Sequence, residues 1–279
     1  MSDELRISFE FFPPKTPEGK NKLYKVREEL QQFNPDFFSV TYGAGGTTRD
    51  TTRGVVKSLI EQGIDAAPHL SFGGDDEETV ASLLSDYQQI GVKRIVALRG
   101  DLPSGMGGHS QLVYANELVA FIRDRFGDQF HLEVAAYPEV HPEAKSYSDD
   151  IKFLKGKFDA GANSAITQYF FNPDAYFHFI DQCQQAGIDA PIYPGIMPII
   201  NYRNLARFSD SCGAEIPRWL RKRLESFGDD VESLQAFGVD LVSELCETLL
   251  ENGAPGLHFY TMNQTQPTAK ILRNLNGDD

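Results

Sequence analysis

Glu10 lies in the stretch FEFFPP, residues 9–14, with phenylalanine on both sides and two prolines that end whatever strand carries it. Apolar neighbours that exclude water disfavour an ionised carboxylate and raise its pKa toward neutrality, which is what a general acid requires. Position alone leaves open a second reading, a glutamate paired with a basic residue such as Arg99. In RGDLP, residues 99–103, Arg99, Gly100 and Asp101 combine an arginine, a glycine that lets a ligand approach the backbone, and an aspartate. Such a turn suits an aromatic heterocycle whose electron density the charges steer; an Arg–Asp pair in a plain turn is the alternative.

The segment YPEVHPEAK, residues 137–145, spaces Glu139, His141 and Glu143 two apart. Two prolines interrupt it and the remaining histidines form no ligand pair, so no metal site is expected. His141 instead suits a phosphate or a ribose, with Lys157 as a second donor. The glycine-rich pieces GAGGTT and GMGGHS both lack the third glycine of GxGxxG, and there is no Walker sequence or GxSxG elbow. A dinucleotide, if bound, must be held by some other frame.

That frame is legible in the alternation of short β-rich runs with amphipathic helical stretches. The runs are RISFEFF, DFFSVTY, DAAPHLS, KRIVALRG, HLEVAAYP, SAITQYFF, APIYPGIMP and GLHFYT. Gly63, Gly91, Gly161, Gly187 and Gly253 each stand just before a strand, as helix C-terminal caps do, and Asn172–Pro173 reads as an N-cap with a first-turn proline. Strands joined through helices run parallel with right-handed crossovers. The expected fold is therefore α/β, a (β/α)8 TIM barrel with extra helices between strands 7 and 8, in residues 201–253. Polar residues fall where the chemistry of such a barrel sits, at the C-terminal ends of the strands: Glu10, Thr41 and Tyr42, His69, Arg99 to Asp101, Tyr137, Gln168 and Tyr260. The strand interiors read as apolar, as a packed barrel requires.

The 279 residues, 41% hydrophobic, suit a single catalytic domain spanning residues 1–279 with no appended regulatory domain. A formal charge of −14 argues against nucleic acid as a partner. No apolar run is long enough for a membrane span and the opening residues lack a leader pattern, so a cytoplasmic protein is expected. Cys183, Cys212 and Cys246 are widely spaced and read as buried thiols.

Taken in order, FEFFPP, SVTYGA, APHL, ALRGDLP, AAYPEVHPEAK, DAGAN with AITQYFF, PGIMPI and LHFYTMN resemble the FAD-dependent methylenetetrahydrofolate reductases of the short bacterial type, over almost the whole chain. The resemblance implies a barrel holding FAD, which takes a hydride from NADH or NADPH and passes it to 5,10-methylenetetrahydrofolate. The product, 5-methyltetrahydrofolate, feeds methionine synthesis. Glu10 matches the family's catalytic general acid, which helps open the five-membered ring to an iminium. Asp101 matches an aspartate that contacts the folate and tunes the flavin, Gln168 a glutamine used by both substrates, and Phe208 an aromatic that shifts with the ligand stacked on the flavin. FAD contacts carry over to Tyr42, Ala44, His69, Arg99, Gly100, Asp101, Tyr114, Ala115, Tyr137, His141, Ala144, Asp150 and Lys157, and a nicotinamide contact to Thr41. For Tyr42, Tyr114, Tyr137 and Phe208 ordinary packing is the rival reading, and for Asp150 and Lys157 a solvated helix face. A homo-oligomer is expected of such barrels. The chain departs from the pattern at Gln264 and Asn204, where some relatives have arginine and glutamine, and at Gly156, where they have arginine. Another flavin-dependent barrel oxidoreductase, a flavin-free methylene-folate reductase, and a non-catalytic barrel acting as a binding protein are the alternatives.

Overall fold

The computed structural model describes residues 5–42, 49–72, 75–99 and 114–277. Its strands are β1 (Ile7–Phe11), β2 (Phe37–Val40), β3 (Ala66–Leu70), β4 (Arg94–Ala97), β5 (His131–Ala136), β6 (Ser164–Thr167), β7 (Ile192–Tyr193), β8 (Gly195–Ile196) and β9 (Leu257–Tyr260). Among the described residues one helix lies between each consecutive pair from β1 to β7: α1 (Pro17–Gln31), α2 (Arg49–Glu61), α3 (Glu77–Gln89), α4 (Ala115–Phe126), α5 (Tyr147–Asp159) and α6 (Pro173–Gln185). Three helices, α7 (Tyr202–Cys212), α8 (Arg218–Ser226) and α9 (Val231–Glu251), lie between β8 and β9, and α10 (Gln266–Asn276) follows β9. The extra helices fall where the sequence places them. No helix of the described residues is long and apolar enough to cross a membrane.

Local chemistry sets the helix ends. The side chains of Thr16, Asp76, Ser146, Asn172, Asn201 and Asp230 accept from backbone N–H groups in the first turn of their helices, and prolines open α1 and α6. The five glycines expected to stop helices all have positive φ.

Every strand pairing is parallel, in the order β7-β6-β5-β4-β3-β2-β1-β9-β8. The two ends of that order are halves of one segment. The seventh strand read from APIYPGIMP is two strands of two residues each, parted at Pro194. Pro194 has no N–H to give to a ladder, but its carbonyl accepts from His258 N at 3.0 Å. The half before it pairs with β6 and the half after it with β9, so the proline stands where the ring closes.

Side chains alternate across each strand. Phe9, Phe11, Phe38, Val40, Leu70, Ile95, Leu132, Val134 and Phe259 belong to the large core between the strands and the helices. The intervening positions face the barrel interior, where Phe37, Ala67, Val96 and Ile166 form a small apolar cluster. The interior is more polar than the sequence reading has it, because the apolar character of these strands is concentrated on the outward face. At the N-terminal end Arg94 is ion-paired with Glu133 and lies 4.5 Å from the Phe37 ring centre, while Ser164 Oγ donates to Glu133 at 2.6 Å and lies 2.6 Å from His131 Nε2. Burial pushes the Glu133 carboxyl up, but His131, Arg94 and Ser164 outweigh it and hold the group below the usual carboxylate range. This end is a closed plug whose charges are paired.

Gly195 is the tightest point of the seam. A Cβ there would overlap the Thr167 carbonyl and come within 2.6 Å of the Tyr260 ring. We expect Gly195→Ala to destabilise the fold by about 1–3 kcal/mol, read as a lower urea midpoint; an unchanged midpoint would mean the seam is slack.

Candidate active site

Glu10 pairs in register with Ser39 of β2 and Tyr260 of β9 and faces the interior near the C-terminal rim. Its Oε2 lies 3.4 Å from His69 Nε2 and 3.9 Å from His258 Nε2. Two residues below, on the same face, Ser8 Oγ is 2.7 Å from His258 Nδ1. Tyr260 stands edge-on to the His258 ring, its hydroxyl donating to the Thr167 carbonyl at 2.7 Å. The Glu10 side chain keeps 20% exposure, so the carboxylate remains reachable from the mouth. Its neighbours differ from those read from the sequence: Phe9 and Phe11 face the helices, and the acid sits instead among two histidines and a tyrosine. Burial lowers the His69 pKa, with Glu10 opposing, and raises that of Tyr260, with Glu10 adding to the rise. Both Nε2 atoms are buried and have no hydrogen-bond partner among the described residues.

Among the described residues the ion pairs of Glu10 are to histidines; Arg99 points elsewhere. It forms an ion pair with Glu143, and its guanidinium lies 5.8 Å from the Tyr114 ring centre. The residues of YPEVHPEAK diverge. His141 Nδ1 accepts from Glu143 N at 3.0 Å and its ring meets Tyr137 edge-on at 4.5 Å, whereas Glu139 Oε2 accepts from Glu215 N, beyond α7, at 2.7 Å. Among the described residues no group of three or more His, Cys, Asp or Glu is arranged to hold a metal ion. Asp150 and Lys157 are not a solvated face. Asp150 Oδ2 accepts from His141 N at 2.8 Å, and Lys157 Nζ donates to the Ala135 carbonyl at 2.7 Å. Burial pushes the Lys157 ammonium down to about 8, with Asp150 opposing. His141 is lowered too, chiefly by burial.

The other predicted positions spread around the rim. Thr41 caps the β1–β2 pair, its N donating to the Phe11 carbonyl and its own carbonyl accepting from Thr52 Oγ1 at 2.9 Å. Tyr42 Oη accepts from Arg49 Nε at 3.0 Å. Tyr114 is the N-cap of α4 and 58% exposed, and Ala115 is buried behind it. Ala144 N donates to the His141 carbonyl. Gln168 follows β6, and its Oε1 accepts from Tyr169 N. Phe208 lies on α7, half exposed beneath the Arg207 guanidinium; the next residue, Ser209, is buried and bonded to Tyr169 Oη at 2.9 Å. Ala44, Gly100 and Asp101 lie outside the described residues. Of the departures, Gly156 has open space where a Cβ would stand, Asn204 lies in the first turn of α7, and Gln264 N closes a turn onto the Thr261 carbonyl.

His258 and Ser8 escaped the sequence reading as site residues. Their signal was available: each stands two positions before an assigned rim residue, and a two-residue step keeps a side chain on the same face.

Glu139 lines a pocket with Tyr137, Gln168, Tyr169 and Cys212, and burial pushes its carboxyl up to about 7, the Glu215 N–H opposing. A carboxyl raised on folding stabilises the fold fully below its unfolded value, about 4.5, and loses that contribution as pH climbs through about 7. Glu139→Gln should abolish this slope and, with screening of a part-exposed group allowed for, gain on the order of 1 kcal/mol over wild type above about pH 8. Urea midpoints of both proteins across pH check this; a wild-type slope in the variant assigns the slope elsewhere.

A family model described as methylenetetrahydrofolate reductase matches residues 1–276. The chain is 40% identical over 276 residues to 5,10-methylenetetrahydrofolate reductase of Escherichia coli (strain K12), covering 99% of this chain and 92% of that one. It is 39% identical to the enzyme of the same name from Buchnera aphidicola subsp. Schizaphis graminum, covering 95% and 90%. Against methylenetetrahydrofolate reductase (NADH) 1 of Arabidopsis thaliana identity is 36%, over 98% of this chain but 48% of that protein. Among solved structures, a Clostridium thermocellum protein described as binding two copies of 5-methyl-5,6,7,8-tetrahydrofolic acid superposes with a TM-score of 0.67 at 19% identity, covering 99% of this chain and 95% of that one, which speaks for the barrel fold. The motifs, the whole-length family match and the two bacterial relatives agree, and the chain belongs to the methylenetetrahydrofolate reductase family.

Proposed function

We propose that this protein reduces 5,10-methylenetetrahydrofolate to 5-methyltetrahydrofolate with NADH or NADPH, through FAD held at the C-terminal mouth of the barrel, and that Glu10 is its general acid. The observation that carries this reading is the inward-facing carboxylate of Glu10, 3.4 Å from a buried histidine and still open to the mouth. On this reading the enzyme is a cytoplasmic homo-oligomer, its whole chain serves as the catalytic barrel, and its product feeds methionine synthesis.

The residues present fit a flavin. His69 Nε2 is buried and without a hydrogen-bond partner among the described residues, on the strand next but one to Glu10. A polar ligand atom in the mouth would complete its hydrogen bonding, since a buried polar atom left without a hydrogen bond costs about 1–3 kcal/mol. Tyr42, His69, Arg99, Tyr114, Ala115, Tyr137, His141 and Ala144, with Ala44, Gly100 and Asp101, would hold the cofactor. Asp150 and Lys157 fix the backbone of His141 and Ala135 and so support that contact set from behind. Thr41 would meet the nicotinamide, and Gln168 and Phe208 would orient whichever substrate occupies the mouth. Bound FAD supplies hydride transfer between the two substrates.

The chain's own part is proton delivery. On this reading Glu10 delivers a proton to the ring nitrogen that leaves when the five-membered ring opens, which makes the one-carbon unit electrophilic. His69 and His258, within 4 Å of that carboxyl, act as a polar wall in place of bulk water.

Glu10→Gln should leave flavin reduction by the nicotinamide within about twofold of wild type and slow reoxidation by methylenetetrahydrofolate by about 100-fold or more, the usual reach of general acid catalysis. Stopped-flow absorbance of each half-reaction decides the matter. Equal slowing of both removes Glu10 from the acid role, and purified protein without a flavin spectrum, before and after denaturation, overturns the cofactor.

A further inference from the structure

The strand that carries Glu10 ends on an unusual clamp. β1 pairs with β9 as far as Glu10 and Tyr260, and there both chains must part, because Pro13 and Pro14 cannot continue a ladder. The segment after β9 turns away through two consecutive non-glycine residues with positive φ, Met262 at 53° and Asn263 at 52°. The ladder is nevertheless extended by side chains. Thr261 Oγ1 donates to the Glu10 carbonyl at 2.7 Å and accepts from Asn263 N at 3.2 Å. The Asn263 amide then spans the peptide groups of Phe12, its Oδ1 accepting from Phe12 N at 3.1 Å and its Nδ2 donating to the Phe12 carbonyl at 2.9 Å. Asn263 is 8% exposed and Thr261 fully buried.

A carboxamide that both accepts from and donates to one residue's backbone imitates a neighbouring strand. It serves where no strand can follow, 251 positions away in sequence. Asparagine tolerates the left-handed region better than most residues, but methionine does not, and such conformers cost of order 1 kcal/mol or more each. They persist only where surrounding bonds over-determine them. The bonds here converge on the backbone either side of Glu10, at its own carbonyl and at Phe12. On the other side Phe11 is paired with Val40 of β2, and Thr41 N donates to the Phe11 carbonyl at 2.8 Å.

We infer that Asn263 is a positioning residue for the Glu10 carboxylate: together with Thr261 it fixes the backbone from Glu10 to Phe12 and so sets where the acid meets the folate. This deepens the reading that Glu10 is the general acid and rests on it. Asn263 touches no reacting atom; its effect runs through Glu10 and therefore falls on the folate half-reaction alone.

Asn263→Gly is the direct test, since glycine accepts the left-handed backbone and loses only the clamp. The expected result is bound flavin per chain equal to wild type, flavin reduction by NADH or NADPH within about twofold, and reoxidation by 5,10-methylenetetrahydrofolate about 10- to 100-fold slower, the scale of a misplacement of about 1 Å. Met262→Gly relieves the backbone and keeps the clamp, and should leave both half-reactions within about twofold. Thr261→Val keeps the side chain's shape, removes both the bond to the Glu10 carbonyl and the acceptor for Asn263 N, and should show the same one-sided slowing even where Asn263→Gly does not fold. Normal reoxidation in both clamp variants, or equal slowing of both half-reactions, overturns the inference. If Glu10→Gln is selectively slow in reoxidation while the clamp variants are not, only the inference falls; if Glu10→Gln shows no selectivity, the reading beneath it falls first.

Discussion

Closure of a short parallel ladder is the constraint on which the site depends. A strand within the ring has two neighbours and one inner face, and that face is met every second residue. For β1 this means that Ser8 and Glu10 look inward while Ile7, Phe9 and Phe11 pack against helices. The strand order gives β1 the last strand as its second neighbour, and with it His258, 250 positions along the chain. The seam that makes this possible is built of two-residue ladders on either side of Pro194, held where the Tyr176 hydroxyl donates to the Ile192 carbonyl and Gly195 N to Thr167 Oγ1. Glu10 therefore owes its environment to a contact between the two ends of the fold.

The two ends of the barrel treat buried polarity differently. At the N-terminal end Glu133, fully buried, is satisfied by Arg94, Ser164 and His131, as a structural charge must be. At the C-terminal end His69 and His258 each keep a buried ring nitrogen without a hydrogen-bond partner among the described residues, within 4 Å of a carboxylate that solvent still reaches. A fold under selection for stability alone would close that end as it closes the other. Buried polar atoms that await a partner are the physical mark of a ligand site, and here they coincide with the end where barrel chemistry is found.

Much of this was legible in the residues. The β-rich runs, the glycine stops and the extra helices before the last strand are all local signals, and each survives in the coordinates. The split of the seventh strand was hidden because a proline in a run of apolar residues does not say which neighbour each half will take. The environment of Glu10 was misread for a related reason: adjacency along a strand is adjacency to the opposite face, so the flanking phenylalanines describe the helix side. His258 is paired with Ser8 by register, which no short window contains. Asp150 and Lys157 carry no helical pattern that marks them as anchored, since their partners are backbone groups of other segments. Local chemistry was readable, and long-range partnership was not.

Backbone strain also gathers at the mouth. Of the described non-glycine residues with positive φ, Val140, Met262 and Asn263 lie just past the C-terminal ends of β5 and β9, whereas Asn34 lies at the opposite end before β2. Asparagine is at ease there, but a β-branched valine is poorly suited to it. Val140 persists because the residues either side of it are tied in opposite directions, Glu139 to the backbone beyond α7 and His141 to Asp150 on α5. The loop thereby fixes the Tyr137–His141 ring pair at one side of the mouth, while Gly213, pressed against Pro142, joins it to the helix that carries Phe208. Cost of order 1–3 kcal/mol per strained residue is tolerable only against a large apolar core, and it is concentrated where side-chain direction rather than stability is at stake. Strained backbone at the rim, like the buried histidine nitrogens left without a hydrogen bond among the described residues, is stability given up for geometry.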